Sequence, residues 1–270
     1  MNPDAPAHSL KFPPAALLRS AVRNYSSYSY DRAPRRRVLT PNTVATINFA
    51  FGEPVVARSL AGPDVPVQRI ASQAHLPATS AYLASHDGQV SGVVVRMTPM
   101  GAYRLFGVPM AHWDATDLDP TELLPRFLRL LPERLRATAP RERAALLDRT
   151  LLPLLDAGPR VSPEVSWAWR ELHRTKGRVR TAQLAADTLY SVRHLERRFR
   201  EQVGRSPATI ARILRFGHAL RLQEAGVPLA QVAERAGYHD QAHFTRAFRT
   251  MSGYTPTQLP RAERIDWSWS

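Results

Sequence analysis

The chain has 270 residues, which is long enough for two domains that each bury a core, and it contains no cysteine. The lack of cysteine excludes a disulfide framework, a thiolate metal site and a cysteine nucleophile. The formal net charge is +14, and residues 160–264 hold 19 Lys and Arg against 9 Asp and Glu. This excess predicts a phosphate-binding surface in the second half of the chain.

The sequence also lacks the usual features of membrane and secreted proteins. No run of 18 apolar residues is present, and the first 30 residues have no apolar core of a signal peptide. We therefore expect a soluble protein of the cytoplasm that has no membrane partner.

The first 37 residues show neither helical nor strand periodicity. Prolines interrupt residues 3–14, and a polar, basic stretch follows as far as residue 37. We predict a mobile segment over residues 1–37, with a short helix as an option at residues 15–23. The arginines at 35–37 are either solvated, as most charge runs are, or a contact to a partner.

Residues 38–97 contain five runs rich in Val, Ile, Thr and aromatic residues, separated by Gly, Pro and Asp. Such runs, bounded by turn residues, predict short β-strands. Asp87 and Gly88 lie between two of the runs and favour a tight hairpin. The pattern predicts a small antiparallel β-sheet or half-barrel.

Residues 98–158 change to a helical pattern. The stretch MGAYRLFGVPM predicts a short helix that ends at Gly107 and Pro109. Leucines recur at helical spacing over residues 119–138 and 141–157, which predicts two longer helices. Their wide apolar stripes pack either on the sheet or on a second copy of the chain. The stretch AGPRVSP at residues 157–163 predicts a linker.

The second half of the chain contains the same helix–turn–helix pattern twice, at residues 181–207 and 229–259. The apolar residues of the first helix recur at an offset of 48, as in Leu184 and Val232. Those of the second helix recur at an offset of 49, as in Phe199 and Phe248. Residues 208–225 predict one joining helix, about 27 Å long.

The one-residue step in the offset falls in the turn of the motif. Ser191 and Asp240 are both placed to cap the second helix through a side-chain oxygen. Gly237 follows the first helix of the second copy, where glycine supplies the left-handed conformation that ends a helix. Leu189 stands at that position in the first copy, so that turn must close without a glycine.

Two helix-turn-helix motifs joined by a long helix resemble the DNA-binding region of the AraC/XylS transcription regulators. The resemblance covers about residues 163–261 and is most specific in VAERAGYHDQAHFTRAFRTMSGYTP. It implies an all-α DNA-binding domain over residues 163–262, in which the second helix of each motif enters a DNA major groove. The first motif matches more loosely, and Leu259, Pro260 and Arg261 replace the usual tyrosine–arginine ending.

The region ahead of the motifs, residues 38–158, is more loosely similar to the sensor-type domains of such regulators. The resemblance implies a regulatory or dimerisation domain, and an α+β fold class for the whole chain. The partners it implies are double-stranded DNA, RNA polymerase, an unknown small-molecule effector and a second copy of the chain in a homodimer. A regulator of this kind acts in the cytoplasm, in association with the nucleoid.

Matched to the family's motif, the exposed parts of the two second helices carry the candidate site. Arginine can bind O6 and N7 of guanine, and glutamate can accept from N4 of cytosine. For the one glutamate of the set, an ion pair with a neighbouring arginine is the alternative. The predicted base contacts are Arg193, Glu196, Arg197, Gln241, Ala242 and Arg246. The predicted phosphate contacts, which position the protein, are Ser191, His194, Arg200, His239, Thr245 and Arg249.

Enzymatic and metal-binding patterns are absent from the sequence. GxSxG, P-loop, HExxH and GxGxxG motifs do not occur, so we expect no catalytic residue, no metal and no cofactor. His239 and His243 have the i, i+4 spacing of metal ligands, but a DNA-backbone contact or simple exposure is the simpler interpretation. Two alternatives stay open: an enzyme with a DNA-binding appendage, and a helical interaction module without a DNA role. Convergent titratable groups in a pocket would support the first.

Overall fold

The computed structural model describes residues 8–30, 35–62, 67–86, 88–114, 119–259 and 264–265. Its first half is a two-sheet β structure with helices on one side, and its second half is helical. The nine strands of the first half are β1 (His8–Phe12), β2 (Val22–Tyr30), β3 (Arg35–Leu39), β4 (Ala45–Ala50), β5 (Val55–Ser59), β6 (Gln68–Ile70), β7 (Gln73–His75), β8 (Tyr82–His86) and β9 (Val90–Met97). The α+β class predicted from the sequence is confirmed.

The strands form two five-stranded sheets. The first sheet has the order β1-β2-β9-β4-β7, and all of its pairs are antiparallel. The second has the order β10-β3-β8-β5-β6, where β10 is Arg264–Ile265 near the end of the chain and pairs parallel with β3. The predicted antiparallel sheet is therefore two sheets, with a chain-terminal strand added at one edge.

The expected hairpin at residues 87–88 is wrong. β8 pairs with β3 and β5 in the second sheet, whereas β9 pairs with β2 and β4 in the first. Asp87 itself lies outside the described residues. A turn dipeptide fixes only a local reversal of the chain, whereas the partners of each strand depend on what its side chains bury. Val93 and Val95 of β9 are buried in a core that β8 does not enter.

The mobile segment predicted for residues 1–37 is also wrong where the structure describes it. β2 lies inside the first sheet, with β1 on one side and β9 on the other. Its stretch VRNYSSYSY is polar because one face of the strand packs on the helices while the other faces a cavity. Tyr25 is buried on the helix side, and its hydroxyl donates to Asp148 Oδ1 at 2.8 Å. A region at residues 15–23 does contain a helical turn, a 3-10 segment at Ala16–Leu18.

Helices that follow the last strand cover the outer face of the first sheet. The first of them is α1 (Pro99–Phe106). Thr98 caps α1 by accepting from the Gly101 amide at 2.9 Å, and Gly107 ends it, as predicted. Residues 119–138 do not form the single helix expected from their leucine spacing. They form α2 (Pro120–Leu123), a 3-10 turn at Arg126–Leu128 and α3 (Leu131–Ala137), because Pro125 and Pro132 interrupt the helical hydrogen bonds.

α4 (Arg143–Ala157) completes the helical layer. Most leucines of α2, α3 and α4 are buried against the sheet in one core, whereas Leu130, directly before α3, is exposed. The leucine stripes therefore pack on the sheet. The buried leucines are Leu123, Leu124, Leu128, Leu131, Leu135, Leu146, Leu147, Leu151 and Leu155.

The described part of the second half contains six helices. They are α5 (Pro163–Arg174), α6 (Thr181–Asp187), α7 (Val192–Val203), α8 (Pro207–Glu224), α9 (Leu229–Arg235) and α10 (Gln241–Ser252). They enclose a second core, which Val38 and Ala81 of the sheet region join. No helix among the described residues is both long enough and apolar enough to cross a membrane.

The second sheet meets the helical half at the ends of α7 and α10. The Ala81 amide donates to the carbonyl of Met251 at 2.7 Å, and Arg205 Nε donates to the carbonyl of Pro77 at 3.2 Å. Gly204 and Gly253, which end the two helices with φ of 80° and 76°, leave no room for a Cβ against Leu76 and Leu60 respectively. The two halves are therefore in direct contact where each of these helices ends.

Candidate nucleic-acid interface and inter-sheet cavity

α6–α7 and α9–α10 are two copies of one helix-turn-helix unit. α6 and α9 each have 7 residues, and α7 and α10 each have 12. α8, with 18 residues, joins them, and its length of about 27 Å approaches the roughly 34 Å of one turn of B-DNA. The helix pattern predicted from the internal repeat is confirmed.

The two turns close in the same way despite their different residues. In the first, the Tyr190 amide donates to the carbonyl of Ala185 at 2.9 Å, and in the second, the Tyr238 amide donates to Ala233 at the same distance. Gly237 has φ of 76°, and Leu189 reaches φ of 58° at the equivalent point. Because leucine rarely adopts this conformation, the first turn closes with a strained residue.

The second helices begin with side-chain caps in both units. Ser191 Oγ accepts from the His194 amide at 3.2 Å, and Asp240 Oδ1 accepts from the His243 amide at 2.6 Å. The hydrogen bond from the backbone of His243 is the main cause that holds the pKa of the Asp240 carboxyl below its usual range. Each cap fixes where its helix starts and therefore which residues occupy the first exposed turn.

Aromatic residues anchor the inner sides of α7 and α10. Phe199, Phe244 and Phe248 are completely buried. The Phe248 ring lies 4.8 Å from that of Phe216 on α8 and 5.6 Å from that of Phe244. Trp169 of α5 lies 6.4 Å from Phe199. These contacts bury the inner side of each helix, so that its opposite side faces the solvent.

On α7 the structure separates the three predicted base-contact residues into two groups. Arg193 and Arg197 are exposed, and neither has a hydrogen bond or an ion pair with any residue that the structure describes. Glu196 is half-buried and pairs with Arg200 at 3.5 Å, with side chains 32% and 58% exposed. The alternative considered for Glu196, an ion pair within the helix, is therefore present in the free protein.

On α10 the predicted set lies together at the start of the helix. Gln241, Ala242 and Arg246 are exposed. The Arg246 guanidinium has no hydrogen bond or ion pair in the described part of the chain, and its charge is a minor cause of the lowered pKa of Asp240. The guanidinium groups of Arg197 and Arg246 thus occupy equivalent positions on the two helices, in keeping with the 49-residue offset.

The predicted phosphate contacts differ in how much of their polar chemistry the protein already uses. Thr245 donates its hydroxyl to the carbonyl of Gln241 at 2.9 Å, and His194 lies against Tyr190 with ring centroids 4.3 Å apart. Arg249 is exposed in the last turn of α10. His239 is 89% exposed and its Nδ1 lies 3.0 Å from Asp240 Oδ2. Within the described residues, no cluster of three or more His, Asp or Glu side chains forms a metal site.

Comparison with known proteins places this region. Residues 184–262 match the family model described as "Helix-turn-helix domain". The chain is 35% identical over 91 residues to the HTH-type transcriptional regulator GlxA of Rhizobium meliloti. Residues 184–262 are therefore a helix-turn-helix domain. The match covers 33% of this chain and 27% of GlxA, so this chain spans about a quarter of that relative's length.

Two solved structures are similar to parts of the chain. The C-terminal domain of AraT from Geobacillus stearothermophilus has 25% identity and a TM-score of 0.36, over 42% of this chain and 95% of that one. ToxT from Vibrio cholerae, bound to (E)-4-(8-methylnaphthalen-1-yl)but-3-enoic acid, has 8% identity and a TM-score of 0.42. That alignment covers 83% of this chain and 96% of ToxT.

Sequence reasoning missed two apolar side chains on the outer face of the helix-turn-helix domain. Leu189 is 95% exposed and Val192 is 43% exposed, and both lie at the entrance to α7. Apolar groups beside a recognition helix can contact the methyl group of thymine. The position of Leu189 in a turn, where polar residues are usual, was the indication in the sequence.

A cavity of about 380 Å³ between the two sheets was also missed. Ser26, Tyr28 and Tyr30 line it from alternate positions of β2, a strand that was not predicted. The period-2 alternation in SSYSY was the indication in the sequence. Trp113, on the 3-10 turn Met110–Asp114 that packs against α7, and Arg205, just after α7, also line the cavity.

Burial shifts several titratable groups of the cavity. It lowers the pKa of the His75 imidazole to about 4 and raises the pKa of the Tyr28 phenol to about 12. Burial also lowers the pKa of the Arg96 guanidinium to about 10, so this group keeps its charge at neutral pH. These three side chains are therefore shielded from water, and Arg96 gives its part of the cavity a positive charge.

Proposed function

We propose that the chain is a sequence-specific transcription regulator that binds double-stranded DNA with α7 and α10 in successive segments of the major groove. One observation carries this proposal. Two copies of one helix-turn-helix unit each present a guanidinium group that has no hydrogen bond or ion pair among the described residues, on a helix whose other side is fixed by buried phenylalanines. The helix-turn-helix match supports the same conclusion.

Within this proposal, the residues on α7 and α10 that read bases are those of the first exposed turns. Arg193 and Arg197 have no competing partner in the described chain and suit the paired acceptors of guanine. Glu196 must share its carboxylate between Arg200 and a cytosine amino group, or exchange one for the other. On α10, Gln241 and Arg246 read bases, while Ala242 offers only a methyl group.

The remaining set contacts phosphates. Arg249 and His239 are exposed, and Arg200 would move its charge from Glu196 to the DNA backbone. Ser191, His194 and Thr245 stand beside the helix starts and would donate over short distances. These contacts position the domain without selecting a sequence.

The sheet region, with β2 included, acts as the regulatory part. Its cavity is large enough for a small-molecule effector, and two of its lining residues touch the elements around α7. Trp113 lies on the turn packed against α7, and Arg205 follows the end of that helix. A bound molecule can thereby change the position of α7 relative to DNA. RNA polymerase and a second copy of the chain are further partners in this proposal, and the site of action is the nucleoid in the cytoplasm.

The enzyme alternative has one observation in its favour, the cavity with shifted titratable groups. Burial is the main cause of each of these shifts. The pKa values of His75 and Tyr28, about 4 and about 12, lie far from neutral pH. General acid–base catalysis is most efficient with a group whose pKa lies near the operating pH. The regulator therefore accounts for the cavity more directly, as the place where an effector binds.

The experiment is the salt dependence of DNA binding by the full chain. Binding to the preferred sequence should weaken steeply as salt rises, because contacts to phosphates release counterions. Arg197→Ala combined with Arg246→Ala should abolish the preference for that sequence. Arg129→Ala removes an exposed arginine outside α5–α10 and is the matched control, which should bind like the wild type. Binding without sequence preference in the wild type would contradict the proposal.

A further inference from the structure

We propose that the inter-sheet cavity binds a small organic anion, with its charged end between Arg37 and Arg96 and its apolar body against the second sheet. The inference rests on the proposed function, since it names the chemical class of the effector. It concerns the cavity alone and is tested without DNA.

The polar face that the first sheet turns toward the second is the first observation. In register across that sheet, Arg96 lies between Asn24 and Thr46, and Thr46 pairs with His75. The next row, Ser26, Val94, Asn48 and Gln73, is also mostly polar. The facing interior of two packed sheets is ordinarily apolar. A polar face over an open cavity is typical of a ligand site.

The charge of the cavity is the second observation. Its lining includes Arg37, Arg96 and Arg205, and no Asp or Glu among the residues that the structure describes. Positive charges attract an anion, and the attraction is strongest beside Arg96, which is buried and therefore weakly screened by water. A neutral or cationic ligand would leave this charge without compensation.

The place of the charged end follows from Arg37 and Tyr30. Arg37 lies over the Tyr30 ring at 4.8 Å, and its Nη1 donates to the Tyr30 hydroxyl at 3.3 Å. Arg96, on the other sheet, also interacts electrostatically with Tyr30, and its Nη1 donates to Ser26 Oγ at 2.7 Å. Both guanidinium groups therefore interact with Tyr30 and line the same cavity, so an anion between them can accept from both.

A third observation points to an acceptor on the ligand. Trp113 is 1% exposed and lines the cavity, and its indole Nε1 has no hydrogen-bond partner among the described residues. A buried donor without a partner costs free energy, which a ligand oxygen would recover. The second sheet contributes the apolar side chains of Leu39, Val55 and Ile70 to the lining, and these suit a hydrocarbon or aromatic body.

The test is calorimetric titration of the full chain with 4-phenylbutyrate and with its uncharged isostere 4-phenylbutanamide. We expect saturable binding of the carboxylate, and at least tenfold weaker binding of the amide. Arg37→Gln should weaken carboxylate binding at least tenfold without changing the affinity for the amide. Trp113→Phe keeps an aromatic ring but removes the N–H, and should weaken binding about threefold or more.

Arg129→Gln is the control, since it removes an equal charge from an exposed position away from the cavity, and it should bind the carboxylate as the wild type does. Equal binding of acid and amide, no saturable binding of the acid, or equal losses in Arg37→Gln and Arg129→Gln would each overturn the inference. DNA binding of the wild type is measured separately. If it persists while the carboxylate fails to bind, the anion site is wrong and the regulator is not. If DNA binding fails, the regulator is wrong whatever the titration shows.

Discussion

Arg197 and Arg249 are both exposed arginines on second helices, yet they should contribute to DNA binding in different ways. Arg197 lies about one turn into α7 with no partner among the described residues, whereas Arg249 lies in the last turn of α10. A side chain near the start of a recognition helix reaches base edges, and one near its end lies closer to the DNA backbone.

Arg197→Ala should therefore cost roughly 1–3 kcal/mol on the preferred DNA and relax the preference at one base pair. Arg249→Ala should weaken binding to all sequences about equally and reduce the salt slope by about one. Binding isotherms on single-base variants of the site, at two salt concentrations, separate the two results. A uniform loss for Arg197→Ala would show that it holds a phosphate.

The left-handed backbone conformation of Leu189 should reduce the stability of the folded protein. Its left-handed conformation costs roughly 1–2 kcal/mol, and with 95% exposure its side chain buries almost nothing in return. Leu189→Gly should therefore raise the melting temperature. Leu130→Gly is the matched control, since Leu130 is also exposed, at 67%, but has an ordinary φ of −84°, and this change should lower it. A fall in both variants would contradict the strain at Leu189.

Phe248 gives the corresponding prediction for an element, because it fixes α10 to α8. It is fully buried against Phe216 and Phe244. Replacing such a phenylalanine by alanine typically costs about 3–5 kcal/mol, so Phe248→Ala should lower both the melting temperature and the DNA affinity. Thr250→Ala, on the exposed side of the same helix, should change stability by less than about 0.5 kcal/mol. Unchanged melting of Phe248→Ala would mean that α10 is not held by this residue.

Elements whose ends are set by local contacts could be predicted from the sequence. α7 and α10 begin directly after Ser191 and Asp240. The side chain of each of these residues accepts a hydrogen bond from an amide three residues further on. Both units also repeat the same apolar spacing. Strand pairing depends instead on residues distant in the chain, so β2 was not predicted and β8 was assigned to the wrong partner. Prolines 125 and 132 were present in the sequence, but the leucine spacing around them suggested a longer helix.

The candidate site could be predicted in the same uneven way. Arg193, Arg197 and Arg246 follow from helical spacing and the resemblance, and the structure leaves all three exposed. The cavity could not be predicted, because Arg37, Arg96 and Trp113 come from three separate parts of the chain and meet only after two sheets have paired. The sequence left open whether Glu196 forms an ion pair with a neighbouring arginine, and the three-dimensional structure shows the pair with Arg200.

For the whole molecule, buried histidines predict how stability changes with pH. Burial lowers the pKa of His173 and His218 to about 4, with nearby positive charges as a second cause; burial alone does so for His75. The unfolded chain titrates these groups near 6.5, so between pH 6.5 and 4 the unfolded state binds more protons. Stability is then complete above pH 6.5 and is lost as the pH falls toward 4.

The measurement is the melting temperature of the full chain between pH 7.5 and pH 5. It should fall in the wild type, and it should fall less in His218→Gln, which removes one of the groups. His218 is 9% exposed on α8, so the variant is compared with its own value at pH 7.5. An equal fall in both proteins would contradict the contribution of His218.

The two helix-turn-helix units, joined by α8, are proposed to act together, with α7 and α10 reading neighbouring major-groove segments. Selection of bound sequences from random DNA by the full chain tests it most directly, with Arg197→Ala and Arg246→Ala compared in parallel. We expect two blocks of preferred bases whose centres lie about 10 base pairs apart. Arg197→Ala should relax the preference in one block, and Arg246→Ala should relax it in the other. A single block, or one block relaxed by both substitutions, would contradict it.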